Sequence, residues 1–433
     1  MYLADSRSAG SRGTEAAAVP DTRPRRRPAA VPSTVLALGA VSLITDVSSE
    51  MVTAVLPLYV VAGLGLSPLG FGLLDGINNG VGALVRLAGG HLADRGGRRH
   101  KVVAGLGYGL SALCKPLLLL AHTLPVLGAV LAVDRTGKGL RTAPRDAMIS
   151  LASEPAHRGR AFGVHRAMDT TGALLGPLVA FAVLRATVDG YDAVFAVSGC
   201  VAALGVLVLV LFVPGRITPA VPQQPEQERP LLREALGLLR RPELRRLTVC
   251  ASLLGLTTVS DSFLYLLLQR EGNLPAHLFP LLPLGTAAFF LLLAVPLGAL
   301  ADRVSRRRLF LAGHGVLLLG YGLVLSPWHG VPAVLAVLVL HGTFYAATDG
   351  VLAAATAGVV PARHQGAGQA LVGTGQALAR FACSLAFGAA WNLWDGRTAL
   401  TVTAAALAAA AVVSAFVLRG TDESRATTEE VSA

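Results

Sequence analysis

Residues 134–146, DRTGKGLRTAPRD, put six charged side chains into thirteen positions, immediately after the apolar run LPVLGAVLAV. Asp134, Lys138, Arg141 and Arg145 follow one another at +4, +3 and +4, which is one stripe of an α-helix. Arg135 lies beside that stripe, and acidic residues elsewhere could answer it. Asp46 and Glu50 stand four apart in ITDVSSEM, Asp75 and Asp169 lie in further apolar stretches, and Lys115 and His165 are set among them. Carboxylates facing fixed cations can take up and release protons while ion pairs exchange partners, and that is coupling chemistry. Covalent chemistry has no comparable candidates. There is no nucleophile–base pair or metal-ligand set, and GLGYG at 105–109 lies within an apolar run and lacks dinucleotide-loop spacing. No cofactor is expected, and the chain does not read as an enzyme.

The elements that must carry these residues are membrane spans. The 433 residues are 53% hydrophobic and 15% charged, with a mean hydropathy of +0.60, outside the balance of a water-soluble domain. Apolar stretches of about 20 residues, the length that crosses ~30 Å of hydrocarbon as a helix, recur along the chain, and no ten-residue alternation indicates a barrel. Twelve spans are predicted near 34–61, 69–92, 102–122, 124–145, 160–185, 192–213, 246–269, 277–300, 309–326, 331–358, 365–391 and 399–418. The fourth is expected to stop near Pro144, and Asp134 and Arg135 would then sit near the midplane. Charge at that depth must face protein or water, so the stripe is expected to line a central path opposite the acidic set.

The fold class is an all-α polytopic membrane protein of two six-helix bundles, 34–213 and 246–418. Between them lies a cytoplasmic linker, 214–245, rich in Pro, Gln, Glu and Arg. Residues 1–33 read as a disordered basic tail without a signal-peptide core, and 419–433 as a second tail. Only Arg185, Arg270 and Arg397 fall in outer connections if the N-terminus is inside, so both termini are expected to be cytoplasmic. This asymmetry accounts for the net charge of +11 and leaves nothing for nucleic-acid binding to explain. Cys114, Cys200, Cys250 and Cys383 lie within spans with no CxxC pairing and read as small packing residues. With three Lys against 34 Arg, and abundant Ala and Gly, the composition suggests a GC-rich bacterial genome and the plasma (inner) membrane.

Two segments answer each other at an offset of 208 residues: GGHLADRGGRRHKVV (89–103) and PLGALADRVSRRRLFLA (296–312). A second pair, EPAHRGRAFG (154–163) and VPARHQGAGQ (360–369), is offset by 206. The halves are copies of one plan, which implies pseudo-symmetry and a path between bundles suited to alternating access. The first segment resembles the signature of the major facilitator superfamily through Gly90, Asp94, Arg95, Gly97, Arg98 and Arg99. Its copy keeps Gly298, Asp302, Arg303, Arg306 and Arg307, with Ser305 in place of Gly. In that family the motif resembles a conformational latch, built from charge-assisted pairs at the inner ends of the spans.

Arg135, Lys138 and Gly139 resemble the family's fourth-span signature, with Lys138 where Gln is usual. The fifth span carries Gly163, Gly172, Gly176 and Pro177, which resembles the antiporter signature of drug-exporting members except that Ala180-Phe181 replaces its closing Gly pair. Small residues spaced by four also serve close helix packing. The resemblance covers about 34–418 and implies proton-coupled efflux of a small organic molecule by a monomer, with protons, substrate and lipid bilayer as its partners. Asp46, Glu50, Arg135, Lys138, Asp134 and Asp169 are the expected coupling or substrate residues. A proton-coupled importer or a uniporter would share the fold. A non-transporting receptor or scaffold would not need charge at the midplane.

Overall fold

The computed structural model describes residues 31–95, 100–188, 190–215, 237–361 and 364–419. Among these residues thirteen α-helices and no strand follow the chain. They are α1 Ser33–Leu58, prolonged by a π-helical turn Tyr59–Gly63, then α2 Pro68–Arg95, α3 His100–Leu117, α4 Leu124–Ala152, α5 Arg158–Ala186 and α6 Tyr191–Phe212. After the linker come α7 Pro242–Leu256, α8 Asp261–Glu271, α9 Leu281–Arg303, α10 Arg306–Leu325, α11 Val331–Val359, α12 Gln365–Leu393 and α13 Gly396–Arg419. Proline opens α4, α7 and α11, where its missing N–H costs nothing.

α7 and α8 together form the seventh span, so thirteen helices make twelve crossings, as expected. Ten of these crossings are apolar enough to be recognised by hydropathy and length alone, while α2 and α4, at 28 and 29 residues, are long but more polar. Packing repeats between halves. Spans 1–5, 1–6, 3–4, 2–4 and 3–6 pack together in the first bundle, and 7–11, 7–12, 9–10, 8–10 and 9–12 in the second. The bundles meet through α2 on α12 and α5 on α9, again a pseudo-symmetric pair.

One expectation about a span end is corrected, and one span holds an unforeseen break. α4 does not stop at Pro144 but continues to Ala152 with the proline inside. The backbone bond that Pro144 forfeits is outweighed because Met148 and Ile149 are fully buried in an apolar cluster with Val35, Leu38, Tyr108 and Leu209. The seventh span is not continuous. At Thr257–Ser260 the helix breaks, Thr257 and Thr258 bond back to the Leu254 carbonyl, and the freed N–H of Val259 donates to the Tyr321 hydroxyl at 2.8 Å. Irregular backbone at membrane depth survives only with such internal partners. Tyr321→Phe is expected to orphan that N–H, costing about 1–3 kcal/mol. A lowered thermal midpoint of the purified protein would show it, and an unchanged midpoint would mean that another group holds the break.

The contacts between bundles gather at the face opposite Ser33 and Arg419. Gly72 on α2 and Gly388 on α12 lie so close that a Cβ on Gly72 would come within 2.5 Å of the Ser384 carbonyl, and one on Gly388 within 2.6 Å of the Pro68 carbonyl. Phe71 and Phe263 meet edge-on with ring centroids 5.0 Å apart, and Phe181 approaches His277 on the other seam. Far from Ser33 and Arg419, therefore, the two bundles are clamped.

Candidate functional site

Asp46 and Glu50, one turn apart on α1, face α4. Arg141 Nη2 lies 3.2 Å from Asp46 Oδ1, and Lys138 Nζ lies 4.0 Å from the same oxygen and 3.7 Å from Glu50 Oε1. One stripe of α4 thus grips one stripe of α1, because spacings of three and four residues align on both helices. Burial grades along the network. The Arg141 and Asp46 side chains are 4% and 11% exposed, whereas those of Glu50 and Lys138 are 28% and 36%. The Arg141–Asp46 pair is shut away and the Lys138–Glu50 pair is partly open. Arg141 also stacks over the Tyr108 ring, 4.5 Å from its centroid, which fixes the guanidinium plane.

The network continues onto α5. Arg145 Nη1 lies 3.6 Å from Asp169 Oδ1, Arg166 Nη1 lies 3.5 Å from Asp169 Oδ2, and the Asp169 carboxyl interacts with that of Asp46. Arg145 Nε also holds Asp146 at 3.1 Å. Ser42 on α1 joins Arg145 to buried His165, whose Nε2 lies 3.0 Å from the Ser42 hydroxyl. Four acids, Asp46, Glu50, Asp146 and Asp169, meet four bases, Lys138, Arg141, Arg145 and Arg166. Adding one proton to any carboxyl unbalances the set and frees a cation, so the cluster can convert protonation into movement of side chains.

The glycines of the fifth span set this geometry. A Cβ on Gly172 would collide with the Leu43 carbonyl of α1, and one on Gly176 would come within 2.7 Å of Glu50 Cβ. They let α5 lie against α1 at the height of the carboxylates, with Pro177 just beyond. Gly163 faces open space. Gly172→Val is therefore expected to push the two helices apart and cost about 1–3 kcal/mol by overpacking, with transport impaired. Gly163→Ala should change neither thermal midpoint nor transport, and equal effects of the two would refute this account.

Other expected residues lie elsewhere. Asp134 turns away from the central stripe to α3, where Lys115 Nζ lies 3.0 Å away and Ser111 donates at 2.8 Å, a buried pair within one bundle. Arg135 meets neither Asp46 nor Glu50 within ion-pair distance. It lines a small cavity with Asp75, Asn78 and Ser262, and its buried Nε has no hydrogen-bond partner. Gly97, Arg98 and Arg99 lie outside the described residues, Gly90, Asp94, Arg95 and Asp302 are described as backbone only, and Arg303 is exposed at the end of α9.

The second bundle holds a cluster around Asp261, which its position in TVSDSF of the seventh span marks as comparable to the acidic part of the first span, although its partners could not be read from the residues. Asp261, at the start of α8, accepts from Tyr345 Oη at 2.7 Å and pairs with His341 Nε2 at 3.0 Å, with the Arg380 guanidinium nearby. A lone His in the apolar stretch VLVLHGTFY was the available signal. Asp349 and Arg380, in the tenth and eleventh spans, are a further pair that the sequence offers, but Asp349 is exposed and no ion pair joins them.

A family model described as Major Facilitator Superfamily matches residues 38–285 and 262–433. An uncharacterized MFS-type transporter of Methanocaldococcus jannaschii is 27% identical over 326 residues, covering 71% of this chain and 76% of the relative. An uncharacterized protein of Mycobacterium bovis is 36% identical over 176 residues, 40% of each chain. Among solved structures, the nucleoside transporter NupG superposes with a TM-score of 0.74 at 14% identity, over 89% of this chain and 99% of its own. A bacterial homolog of the human lysosomal transporter Spinster, inward-facing and unoccupied, gives a TM-score of 0.73 at 16% identity, over 90% of this chain and 98% of its own.

Proposed function

The chain belongs to the major facilitator superfamily, and from that premise we propose that it exports a small organic molecule across a bacterial plasma membrane in exchange for protons. The observation that carries this reading is the Asp46 carboxylate, nearly shut away and held by both Arg141 and Lys138, while Glu50 and Lys138 are partly exposed. Protonating Asp46 would loosen α1 from α4, and deprotonating it would draw them together. Bundles that rock about a central path can use that difference to choose between their two openings.

With both termini cytoplasmic, the clamped face is the external one and the conformation is inward-facing, ready to load substrate from inside. Asp94 with Gly90, Arg95, Gly97, Arg98 and Arg99, and its copy Asp302 and Arg303, then supplies the latch for the opposite, outward-facing state. The antiporter-like run Gly163, Gly172, Gly176 and Pro177 favours export over import, since two of its glycines seat α5 on α1 at the coupling carboxylates.

The test is a screen of organic cations, anions and neutral compounds against purified protein in liposomes containing a pH dye. Export coupling predicts that a transported compound and protons move in opposite directions. Movement in the same direction would make the protein an importer, and substrate movement with no proton flux a uniporter.

A further inference from the structure

One buried acid takes no part in the Asp46 network. Asp75 on α2 is 7% exposed and sits at the seam between bundles, where Ser384 of α12 donates to its Oδ2 at 2.6 Å. Its other partners are neutral: Asn79 one turn along α2, and the Ser260 and Ser262 hydroxyls at the broken seventh span. Among the described residues no cation lies within ion-pair distance. Of the ionisable groups around it, α8 offers Asp261, a like charge, and α12 the Cys383 thiol beside Ser384. α3 offers Lys115 and α4 Asp134, already bound to each other, and α4 also offers Arg135. Asp75, Asn78, Lys115, Asp134, Arg135 and Ser262 line one cavity, and in it Arg135 Nε and Asn78 Oδ1 are buried without partners. A carboxylate and a guanidinium thus share a cavity without being paired.

We propose that Asp75 is a second proton-binding site, which holds its proton while α2 and α12 are clamped and yields it when they part, Arg135 then serving as counter-ion to the carboxylate. In the clamped state an ionised Asp75 would be a buried charge balanced only by hydroxyls and an amide, facing Asp261; a proton removes that cost. Parting of the helices takes Ser384 away and admits water. The O–H bond of the carboxyl breaks, the proton passes to that water as hydronium, and the electron pair stays on the carboxylate, toward which Arg135 can swing. Closing this face therefore consumes one proton and opening it releases one. The proposal rests on alternating access but not on the Asp46 assignment.

The experiment needs no substrate. Spin labels are placed at Leu69→Cys on α2 and Leu393→Cys on α12, both exposed near the clamp, in full-length protein whose four native cysteines have been replaced. The fraction at the short, clamped distance is then followed from pH 5 to pH 9 in lipid nanodiscs. That fraction should fall at least several-fold as pH rises, and Asp75→Asn should hold it high throughout. Asp75→Glu, which keeps an ionisable group if Asn disturbs folding, should restore the titration with a displaced midpoint. Arg135→Gln should move the midpoint to higher pH, because the open state loses its counter-ion. A wild-type fraction independent of pH, a normal titration in Asp75→Asn, or an unmoved midpoint in Arg135→Gln would each overturn the proposal. Asp46→Asn with the same labels should still titrate. If it abolished the titration while Asp75→Asn left it intact, the proton at this face would belong to Asp46 and only the present inference would fall.

Discussion

Asp46→Asn is expected to abolish uphill, proton-driven transport while leaving downhill exchange of substrate measurable. Asn copies the shape of Asp and keeps one acceptor for the Arg141 contact at 3.2 Å, but it cannot exchange a proton. It also leaves the nearly buried Arg141 without its closest negative charge. Removing one partner of a buried pair costs about 3–5 kcal/mol because the other charge stays uncompensated, so a lower thermal midpoint should accompany the loss. Glu50→Gln should do less on both counts, since Glu50 is 28% exposed and water screens its contact with Lys138. Accumulation against a gradient and counterflow, measured on the same liposomes, separate coupling from passage. Wild-type accumulation by Asp46→Asn would remove Asp46 from the mechanism.

The spans and the duplication could be read from the residues, because membrane hydrocarbon imposes length and apolarity on each crossing and the loop motifs mark the copies. The broken seventh span could not. TTVS at 257–260 is β-branched and unremarkable in hydropathy, and what stabilises the break is a hydroxyl from Tyr321, 62 residues away. For similar reasons Pro144 looked like an end, although the burial of Met148 and Ile149 carries α4 past it.

The charged stripe of α4 could be read from its spacing, but its partners could not. Asp134 and Arg145 are eleven residues apart, roughly 16 Å along the axis, and helices that cross at an angle change neighbours over that rise. At the height of Asp134 the neighbour is Lys115 of α3; at Lys138 and Arg141 it is α1, and at Arg145 it is α5. Arg135 is rotated by about 100° from Asp134 and forms no ion pair with Asp46 or Glu50, lining instead the cavity that it shares with Asp75. The bond from Ser384 to Asp75 spans 309 residues with no local pattern to announce it, so only the assembled bundles bring it into view.

Arg141 is the cation on which the coupling site turns, and its substitutions should separate charge from geometry. Arg141→Ala removes both the contact to Asp46 and the stacking on Tyr108, leaving Asp46 with Lys138 at 4.0 Å. The expected result is loss of coupled transport and a stability loss of about 3–5 kcal/mol. Arg141→Lys keeps the charge but not the planar fork that stacks on the ring, so it should retain part of the transport and most of the stability. The combination Asp46→Asn with Arg141→Gln removes both charges together. Because no charge is then left stranded, it should be more stable than either single charge-removing variant, Asp46→Asn or Arg141→Gln, a non-additivity that a double-mutant cycle reads directly. Transport should nevertheless stay uncoupled in the double variant, since restoring electrostatic balance does not restore a group that exchanges protons. Additive stability losses would show that the two residues act independently, and recovery of coupling in the double variant would place the transported proton on another carboxyl of the cluster, Asp169 being next to it.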